Sequence, residues 1–333
     1  MNIKELAQYL NLSTATVSKA LNNKDDISSH TKQKVLNAAI ELGYKPNASA
    51  KYLRSGKVNT VALLLPAADG DNLLTASFFM RIAKGLHHSL KSSGIDSVIH
   101  ITTDEEEEKA LIARIVEQQR ADAIILTDTK IEDERINWLH ERNFPFVTMG
   151  QSRSLNGKFN WVDFNHALMG AECIHFAIKN GSQRIGVVTL GHESMHGHQF
   201  LEGCSSALVA AGLPVSPELI FYGDKTELSG VASMKHFQSL ERQPDFIVFI
   251  NDFQLSGAYN YLQLTLPKGH AAKNMICAII SSDFSSYLLP KPCMFEIDHD
   301  VIGRKLGEAV LQSVSSKEVI NSLLDIHMTE VKN

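Results

Sequence analysis

A short stretch near the N-terminus carries side chains suited to reading the edges of DNA bases. The outward side of a predicted helix holds small, polar or cationic residues, namely Thr14, Ala15, Ser18, Lys19 and Asn22. A lysine can donate to guanine O6 or N7, a threonine hydroxyl can donate or accept, and an alanine methyl can contact thymine. This face therefore has the chemistry that a major groove requires. The alternative is a plain three-helix cap with a solvated polar surface.

Three predicted helices position this face. Apolar residues at helical spacing indicate the first helix, and Ser13 is placed to N-cap the second by accepting from its first-turn amides. The third begins near residues 28–31 and ends at Gly43. The predicted core of this unit is Ile3, Leu6, Ala7, Leu10, Val17, Ala20, Leu21, Val35, Leu36, Ala39 and Leu42. The pattern is typical of a helix-turn-helix module.

A basic segment follows the third helix. Lys51, Arg54 and Lys57 alternate with apolar residues over one or two potential helical turns. A helix this short is marginal in water, so we expect it to order only against a partner. DNA supplies phosphates for the cations, and Leu53 could wedge between base pairs in the minor groove. A flexible basic linker is the alternative.

The charge distribution agrees with a nucleic-acid partner for the N-terminal part. Residues 1–57 hold nine Lys and Arg against four Asp and Glu, whereas residues 58–333 hold 23 against 33. The net charges are therefore +5 and −10. Because salt screens fields beyond roughly 10 Å, the local positive charge governs phosphate attraction.

The rest of the chain predicts a large α/β body. Short apolar runs, most followed by a longer helical pattern, indicate parallel sheets covered by helices on both faces. The predicted strands are residues 60–65, 97–101, 123–126, 146–149, 184–190, 246–250 and 275–280. With 333 residues and 44% hydrophobic residues, the body can bury two cores. No apolar run is long enough to span a membrane, and no secretion signal precedes the first helix, so we expect a cytoplasmic protein.

The N-terminal motifs resemble the lactose-repressor (LacI-type) family of bacterial transcription regulators. The resemblance is carried by IKELAQYLNLSTATVSKALNN, by ELGYKPNASAKYLRSGK and by the following strand VALLLP. It is dense over the first sixty-five residues and holds in outline for the rest. It implies base contacts from Thr14, Ala15 and Lys19. It implies phosphate contacts from Ser13, Thr16, Ser18, Asn22 and Thr31, and hinge contacts in the minor groove from Tyr44, Asn47, Ala50, Leu53 and Arg54.

The resemblance also implies a domain organisation. It predicts a DNA-binding head at 1–45, a hinge at 46–58 and a body at 59–333 made of two Rossmann-like lobes, similar to periplasmic sugar-binding proteins. The first lobe would hold about 59–160 and 291–319, and the second about 161–290 and 320–333. Ligands in such sheets bind beyond the carboxyl ends of the strands.

Loops after the predicted strands supply candidate effector contacts. The set is Asp69, Phe78, Phe79, Gln151, His196, Phe200, Asn251, Asp252 and Ser281. An aromatic side chain such as Phe79 can stack on a sugar ring or a base, or can simply pack the lobe. Asp252 is equally suited to N-cap a helix.

Two of these positions depart from the family pattern. Many members have an arginine where this chain has Phe200, and an aspartate where it has Ser281. An arginine and an aspartate would grip hydroxyls or a carboxylate. We therefore expect a more apolar cleft, with Phe200 in it, and a weak or lost effector response is the alternative.

Residues 191–198 contain three histidines and a glutamate, a composition that can bind zinc. No complementary Cys or His cluster is visible, so the sequence predicts no metal and no cofactor. The other two interpretations are a loop that offers neutral imidazole to a ligand and a plain solvated loop.

The sequence therefore predicts a ligand-responsive repressor of a carbohydrate-utilisation operon. We expect a homodimer that binds a palindromic double-stranded DNA operator, takes a small-molecule effector such as a sugar, and does not contact a membrane. The alternatives are a sugar-binding receptor and a doubly wound enzyme with a DNA-binding appendage. No nucleotide-binding or nucleophile motif supports an enzyme.

Overall fold

The computed structural model describes residues 1–21, 24–44, 56–65, 73–265, 275–279, 292, 294–295, 297–316 and 318–329. The chain divides into two compact units, Met1–Val58 and Asn59–Asn333.

The first unit is a bundle of three helices: α1 (Ile3–Leu10), α2 (Thr14–Leu21) and α3 (Ser29–Glu41). Asn2 caps α1 in a capping box with Glu5. Ser13 Oγ accepts from the Thr16 amide at 3.0 Å, so the predicted cap of α2 is confirmed. These caps fix where each helix begins, and Asn11 in the left-handed region ends α1.

The core of this unit follows the predicted pattern with one error. Leu6, Val17 and Val35 are fully buried at its centre. Leu36, predicted to be in the core, is instead exposed, and Ala38 is buried in its place. Successive side chains on a helix are about 100° apart, so Leu36 points away from the inward stripe that Val35, Ala38 and Ala39 form at helical spacing.

The second unit contains a six-stranded parallel sheet in the order β11-β5-β4-β3-β1-β2. Its strands are β1 (Thr60–Leu64), β2 (Asp96–His100), β3 (Ala123–Leu126), β4 (Phe146–Met149), β5 (Trp161–Phe164) and β11 (Asn321–Leu324). Its helices are α4 (Leu73–Lys91), α5 (Glu105–Glu117), α6 (Glu134–Glu141) and α11 (His299–Ser315).

A second, four-stranded parallel sheet has the order β7-β6-β8-β9. Its strands are β6 (Ile185–Leu190), β7 (Ile220–Gly223), β8 (Phe246–Asn251) and β9 (Met275–Ile279). Its helices are α7 (His166–Lys179), α8 (Met195–Ala210), α9 (Glu227–Ser239) and α10 (Asp252–Thr265). A short antiparallel pair, β10 (Met294–Phe295) and β12 (Met328–Thr329), completes the described strands.

The strand pairing corrects the predicted lobe boundaries. Residues 161–164 and 321–324, assigned from the sequence to the second lobe, pair with each other and join the first sheet. The chain therefore leaves this sheet only after Phe164, and leaves it finally after Leu324. Strands this short carry little periodic signal, and the two that pair here are distant from each other in sequence. All the strands predicted from apolar runs are present to within about a residue at either end.

The second unit has two halves: the first half is the part around the six-stranded sheet, and the second half is the part around the four-stranded sheet. Helix pairs in both halves approach closely at glycines. A Cβ on Gly203 of α8 would lie 1.9 Å from the carbonyl oxygen of Ala167 in α7, and a Cβ on Gly170 would lie 2.2 Å from the Phe200 carbonyl. Both distances are far inside van der Waals contact, so only glycine permits this packing. The same contact turns Phe200 into the core, where it is fully buried.

We expect Gly203→Ala to destabilise the second unit by about 2 kcal/mol or more, since the backbones must separate to admit the methyl group. The better helix propensity of alanine returns only about 1 kcal/mol. Gly191→Ala is the matched control, because a Cβ there meets nothing within 4 Å. Urea denaturation measures both. Equal midpoints for the two variants would contradict the close packing.

Candidate functional site

The structure brings the three predicted base-reading residues together. Thr14, Ala15 and Lys19 are exposed on one face of α2, while Val17 and Ala20 on the opposite face are buried. The face therefore presents two polar groups and a methyl group to solvent, with no bulky side chain between them. This is the geometry that a recognition helix needs to enter a major groove.

Hydroxyl groups cluster at the starts of α2 and α3. Ser13 Oγ lies 2.8 Å from Thr16 Oγ1, and Ser28 Oγ lies 2.9 Å from Thr31 Oγ1. Backbone amides at helix starts attract phosphates, and these hydroxyls can add further hydrogen bonds. Ser18 is half-buried in α2. The phosphate contacts predicted for Ser13, Thr16, Ser18 and Thr31 are not tested by this geometry and stay predictions.

The hinge lies mostly outside the described residues, and with it the predicted minor-groove contacts Asn47, Ala50, Leu53 and Arg54. The predicted phosphate contact Asn22 also lies outside them. Tyr44, grouped with the hinge from the sequence, packs against the core of the first unit, and its amide donates to the Ala39 carbonyl at 2.8 Å. In this structure Tyr44 therefore closes α3.

Lys19 is held by an acidic partner that the sequence analysis missed. Its ammonium forms an ion pair with Asp26, in the turn before α3. The hydrogen bond from Lys19 lowers the pKa of Asp26. Both side chains are exposed, and such pairs contribute little to stability. Lys19 can therefore exchange Asp26 for a base at small cost.

We expect Lys19→Ala to relax the base preference at one position of the bound sequence, because the lost contact is with a base edge. Selection of bound sequences from a random DNA pool measures this. Lys4→Ala, at an exposed position of α1, is the matched control. If Lys19→Ala weakens binding equally to all sequences, Lys19 is only a phosphate contact.

The second unit contains a cavity of about 120 Å³ between its two sheets. It lies at the carboxyl ends of the strands, where open parallel sheets bind ligands. The first half contributes Phe78, Phe79, Thr127, Asp128, Met149, Gly150, Asp163 and Phe164, and the second half contributes His166, Leu190, His196, Lys225, Ile250, Asn251 and Phe253.

One wall of the cavity is aromatic. Phe78 and Phe79 meet edge to face, with ring centroids 5.2 Å apart. Both rings are also buried in the hydrophobic core. Phe78 and Phe79 therefore pack the first half and also line the cavity, and their contact with a sugar ring or a base stays a prediction.

Asn251 lines the cavity, and only one of its two side-chain amide atoms has a hydrogen-bond partner among the described residues. Its Oδ1 caps α10 by accepting from the Gln254 amide at 3.0 Å. Its Nδ2 is buried and has no hydrogen-bond partner among the described residues. Asp252, the first residue of α10, is buried and does not line the cavity. The helix cap expected of Asp252 is thus provided by Asn251.

An ion pair crosses the cavity from one half of the unit to the other. Asp128 follows β3, Lys225 follows β7, and their side chains are hydrogen-bonded. Burial raises the pKa of Asp128, but the charge and the hydrogen bond of Lys225, together with other nearby charges, more than offset this and hold the pKa at about 2. Backbone bonds also join the loop after β3 to the connection after β6, from the Ile131 amide to the Glu193 carbonyl and from the Met195 amide to the Thr129 carbonyl. Sequence patterns could not predict this pair, because its members lie in different halves.

Asp163 and His166 form a second polar group that the sequence analysis missed. His166 Nε2 lies 3.1 Å from Asp163 Oδ1. Burial raises the pKa of Asp163, but the His166 ring and the Gln151 amide more than offset this, so the pKa lies below its ordinary value. Gln151, predicted to contact an effector, does not line the cavity and instead donates to Asp163 from its backbone at 3.0 Å.

The three histidines of residues 191–198 diverge. His192 stacks on Tyr222 with ring centroids 3.9 Å apart, His198 Nε2 lies 2.9 Å from Arg153, and only His196 lines the cavity. The segment is not all loop, since α8 begins at Met195. No group of metal-ligating side chains forms in the described part of the chain. Desolvation, reinforced by Lys225, lowers the pKa of His196 to about 3, so its ring is neutral.

Because the ordinary histidine pKa is 6.5, the unfolded chain binds more protons than the folded chain between pH 6.5 and about 3. The contribution of His196 to the free energy of unfolding is therefore complete above pH 6.5 and is lost as the pH falls towards 3. Partial solvent contact should keep the slope below about 1.4 kcal/mol per pH unit. We expect His196→Asn to lose less stability than the parent between pH 7 and pH 5 in urea denaturation, and His140→Asn, at an exposed site, to behave like the parent. Parallel pH profiles for all three proteins would contradict this.

Of the remaining predicted effector contacts, only Phe200 is among the described residues, and it does not line the cavity. Phe200 was expected in a more apolar cleft, but its ring is fully buried between α7 and α8. The glycine contact that orients it is visible only in three dimensions. Asp69 and Ser281 lie outside the described residues.

The two units define a class of protein, a helix-turn-helix DNA-binding head on a two-sheet α/β body with a ligand-sized cavity. Residues 2–47 match the model for bacterial regulatory proteins of the lacI family. Residues 59–328 match the model for periplasmic binding proteins and the sugar binding domain of the LacI family. The chain therefore belongs to the LacI family and is a DNA-binding transcription regulator.

Individual relatives agree along the whole length. The chain is 27% identical to the HTH-type transcriptional regulator RafR of Escherichia coli, over 95% of this chain and 92% of that protein. It is 26% identical to the regulator MalR of Streptococcus pneumoniae, over 96% and 94%.

Solved structures agree with the fold. The complex of transcriptional regulator CelR with cellobiose aligns with a TM-score of 0.74 and 22% identity, covering 99% of this chain and 98% of that one. The lac repressor dimer bound to operator and the anti-inducer ONPF aligns with a TM-score of 0.80 and 19% identity, with the same coverage. None of the described helices is long and apolar enough to cross a membrane.

Proposed function

We propose that the chain is a repressor that binds a palindromic operator as a homodimer and is released by a small neutral carbohydrate in the cavity between its two sheets. The observation that carries this proposal is the cavity itself, which combines an aromatic wall with Asn251, whose Nδ2 has no partner within the described part of the chain. A site of this kind binds an apolar ring face and fixes its orientation through a few hydrogen bonds.

Carbohydrate is supported by the cavity chemistry and by the relatives. Sugar rings have an apolar face that packs on aromatic rings and a rim of hydroxyls that both donate and accept. The family model for residues 59–328 is described as a sugar binding domain, and CelR was solved with cellobiose. These descriptions belong to the relatives, and extending them to this chain is part of the proposal.

The charges at the cavity favour a neutral ligand over an anionic one. Asp128 and Lys225 neutralise each other, and Asp163 faces His166. Among the described lining residues no second lysine or arginine is available for a phosphate or a carboxylate. A buried anion without a cation partner is costly.

The dimer is proposed from the demands of DNA recognition. A head of about sixty residues with three base-reading side chains binds weakly alone, whereas two heads on a symmetric dimer read a palindrome. The first sheet region carries exposed apolar side chains, Met80 on α4, Val98 on β2 and Ile101 just after it. These are candidates for the surface that pairs two bodies.

Regulation is proposed to act through the contacts that join the two halves of the body. A ligand in the cavity lies beside the Asp128–Lys225 pair, so it can shift the angle between the halves. If that shift weakens DNA binding, DNA must weaken ligand binding by the same factor. We propose that the cavity binds this ligand without chemical turnover, and that the protein acts in the cytoplasm.

We expect a neutral sugar to raise the thermal unfolding temperature of the chain and to release it from DNA, while sugar phosphates and nucleosides do neither. Asn251→Ser should abolish most of the thermal shift, because serine retains the cap of α10 but removes the amide donor. Asn2→Ser, an equivalent cap exchange on α1, is the control. A full thermal shift with Asn251→Ser would remove the cavity from the proposal.

A further inference from the structure

His166 is a buried ring with one nitrogen satisfied and one not. The residue is 5% exposed and lines the cavity. Its Nε2 is hydrogen-bonded to Asp163, whereas its Nδ1 is buried and has no hydrogen-bond partner among the described residues. A buried polar atom left unsatisfied costs about 1–3 kcal/mol, so such atoms commonly have a function.

The backbone at His166 and the carboxylate that its ring contacts are both held by hydrogen bonds. Asn165 caps α7 by accepting from the Leu168 amide at 3.0 Å, and its Nδ2 donates to Asp325 at 2.8 Å. This fixes the backbone at His166, the first residue of the helix. Asp163 is fixed in turn by the backbone amides of Gln151 at 3.0 Å and Phe164 at 2.8 Å.

We propose that His166 is a specificity-determining residue whose Nδ1 forms a hydrogen bond with one hydroxyl group of the ligand, while Asp163 positions the ring. This inference rests on the proposed function, because it assumes that the ligand occupies this cavity. It adds to that function one specific contact, between His166 Nδ1 and a single hydroxyl group of the ligand.

A hydroxyl is the group that best fits Nδ1. In the neutral ring with its hydrogen on Nε2, Nδ1 accepts a hydrogen bond; in the protonated ring it donates one. A hydroxyl serves either state, whereas a carbonyl oxygen serves only the second and an apolar group serves neither. Asn251 Nδ2 is a donor only, so the ligand must present an acceptor there. Two ring hydroxyls of a sugar meet both requirements.

The test uses two variants that separate the nitrogens. His166→Gln places an amide near the position of Nε2, so it keeps the contact with Asp163 and loses the contact at Nδ1. His166→Asn places an amide near the position of Nδ1, so it keeps the ligand contact and loses Asp163. A structural role through Asp163 predicts that Asn is the more harmful change, whereas ligand recognition predicts that Gln is.

Cellobiose, maltose and raffinose are titrated into the full chain by calorimetry, followed by the monodeoxy derivatives of whichever sugar binds. We expect His166→Gln to weaken binding about tenfold or more and His166→Asn to weaken it less. One monodeoxy sugar should bind the parent protein about tenfold more weakly than the complete sugar does. The same monodeoxy sugar should bind His166→Gln as tightly as the complete sugar binds that variant. Urea midpoints within error of the parent show that the variants are folded, and Asn251→Ser serves as the cavity control.

Each outcome bears on one of the two proposals. If His166→Gln binds like the parent while Asn251→Ser does not, the cavity is the ligand site and the role of His166 is wrong. The role is also wrong if each monodeoxy sugar loses the same factor of affinity for the parent as for His166→Gln. It is wrong as well if His166→Asn weakens binding more than His166→Gln does. If no sugar binds, or if neither His166→Gln nor Asn251→Ser alters binding, the carbohydrate effector in this cavity fails and the inference fails with it.

Discussion

Parallel strand order is the constraint on which the ligand site depends. In each sheet the carboxyl ends of all strands meet at one edge, and the chain crosses between the sheets so that both edges face one cavity. Residues far apart in sequence, such as Asp128 and Lys225, become neighbours for this reason alone. Neither sheet by itself contains the site, so its properties depend on how the two halves are held.

The cavity combines an apolar wall with a few polar atoms whose partners are strictly assigned. Asp128 is matched by Lys225, and Asp163 by His166 and the Gln151 amide. Two groups, on His166 and Asn251, stay unpaired among the described residues. In a low-dielectric site, paired charges are tolerated and unpaired polar atoms favour a ligand that satisfies them. In the proposed function, the same arrangement selects a neutral ligand and couples its binding to the contacts that join the halves.

Sequence reasoning succeeded where a signal is local. The helices of the head, the Ser13 cap and the strands β1 to β4 follow from periodicity within ten residues or so. It failed where the deciding neighbour is remote. Phe200 was placed in the cleft by its spacing from Gly203, but the contact of α7 with α8 buries it. His166 was overlooked because the cavity that it lines, together with Asp163, forms only when β5 joins the first sheet.

The sequence by itself determined a basic helix-turn-helix head, an exposed helix face that holds Thr14, Ala15 and Lys19, and a body of alternating strands and helices. Such features depend on backbone periodicity and on charge, which act between residues close along the chain. Only the tertiary structure decided which polar residues meet in the cavity, which of them neutralise each other and which are left for a ligand. Those outcomes depend on strand pairing and on helix contacts between distant segments, because burial sets the cost of every unpaired polar atom.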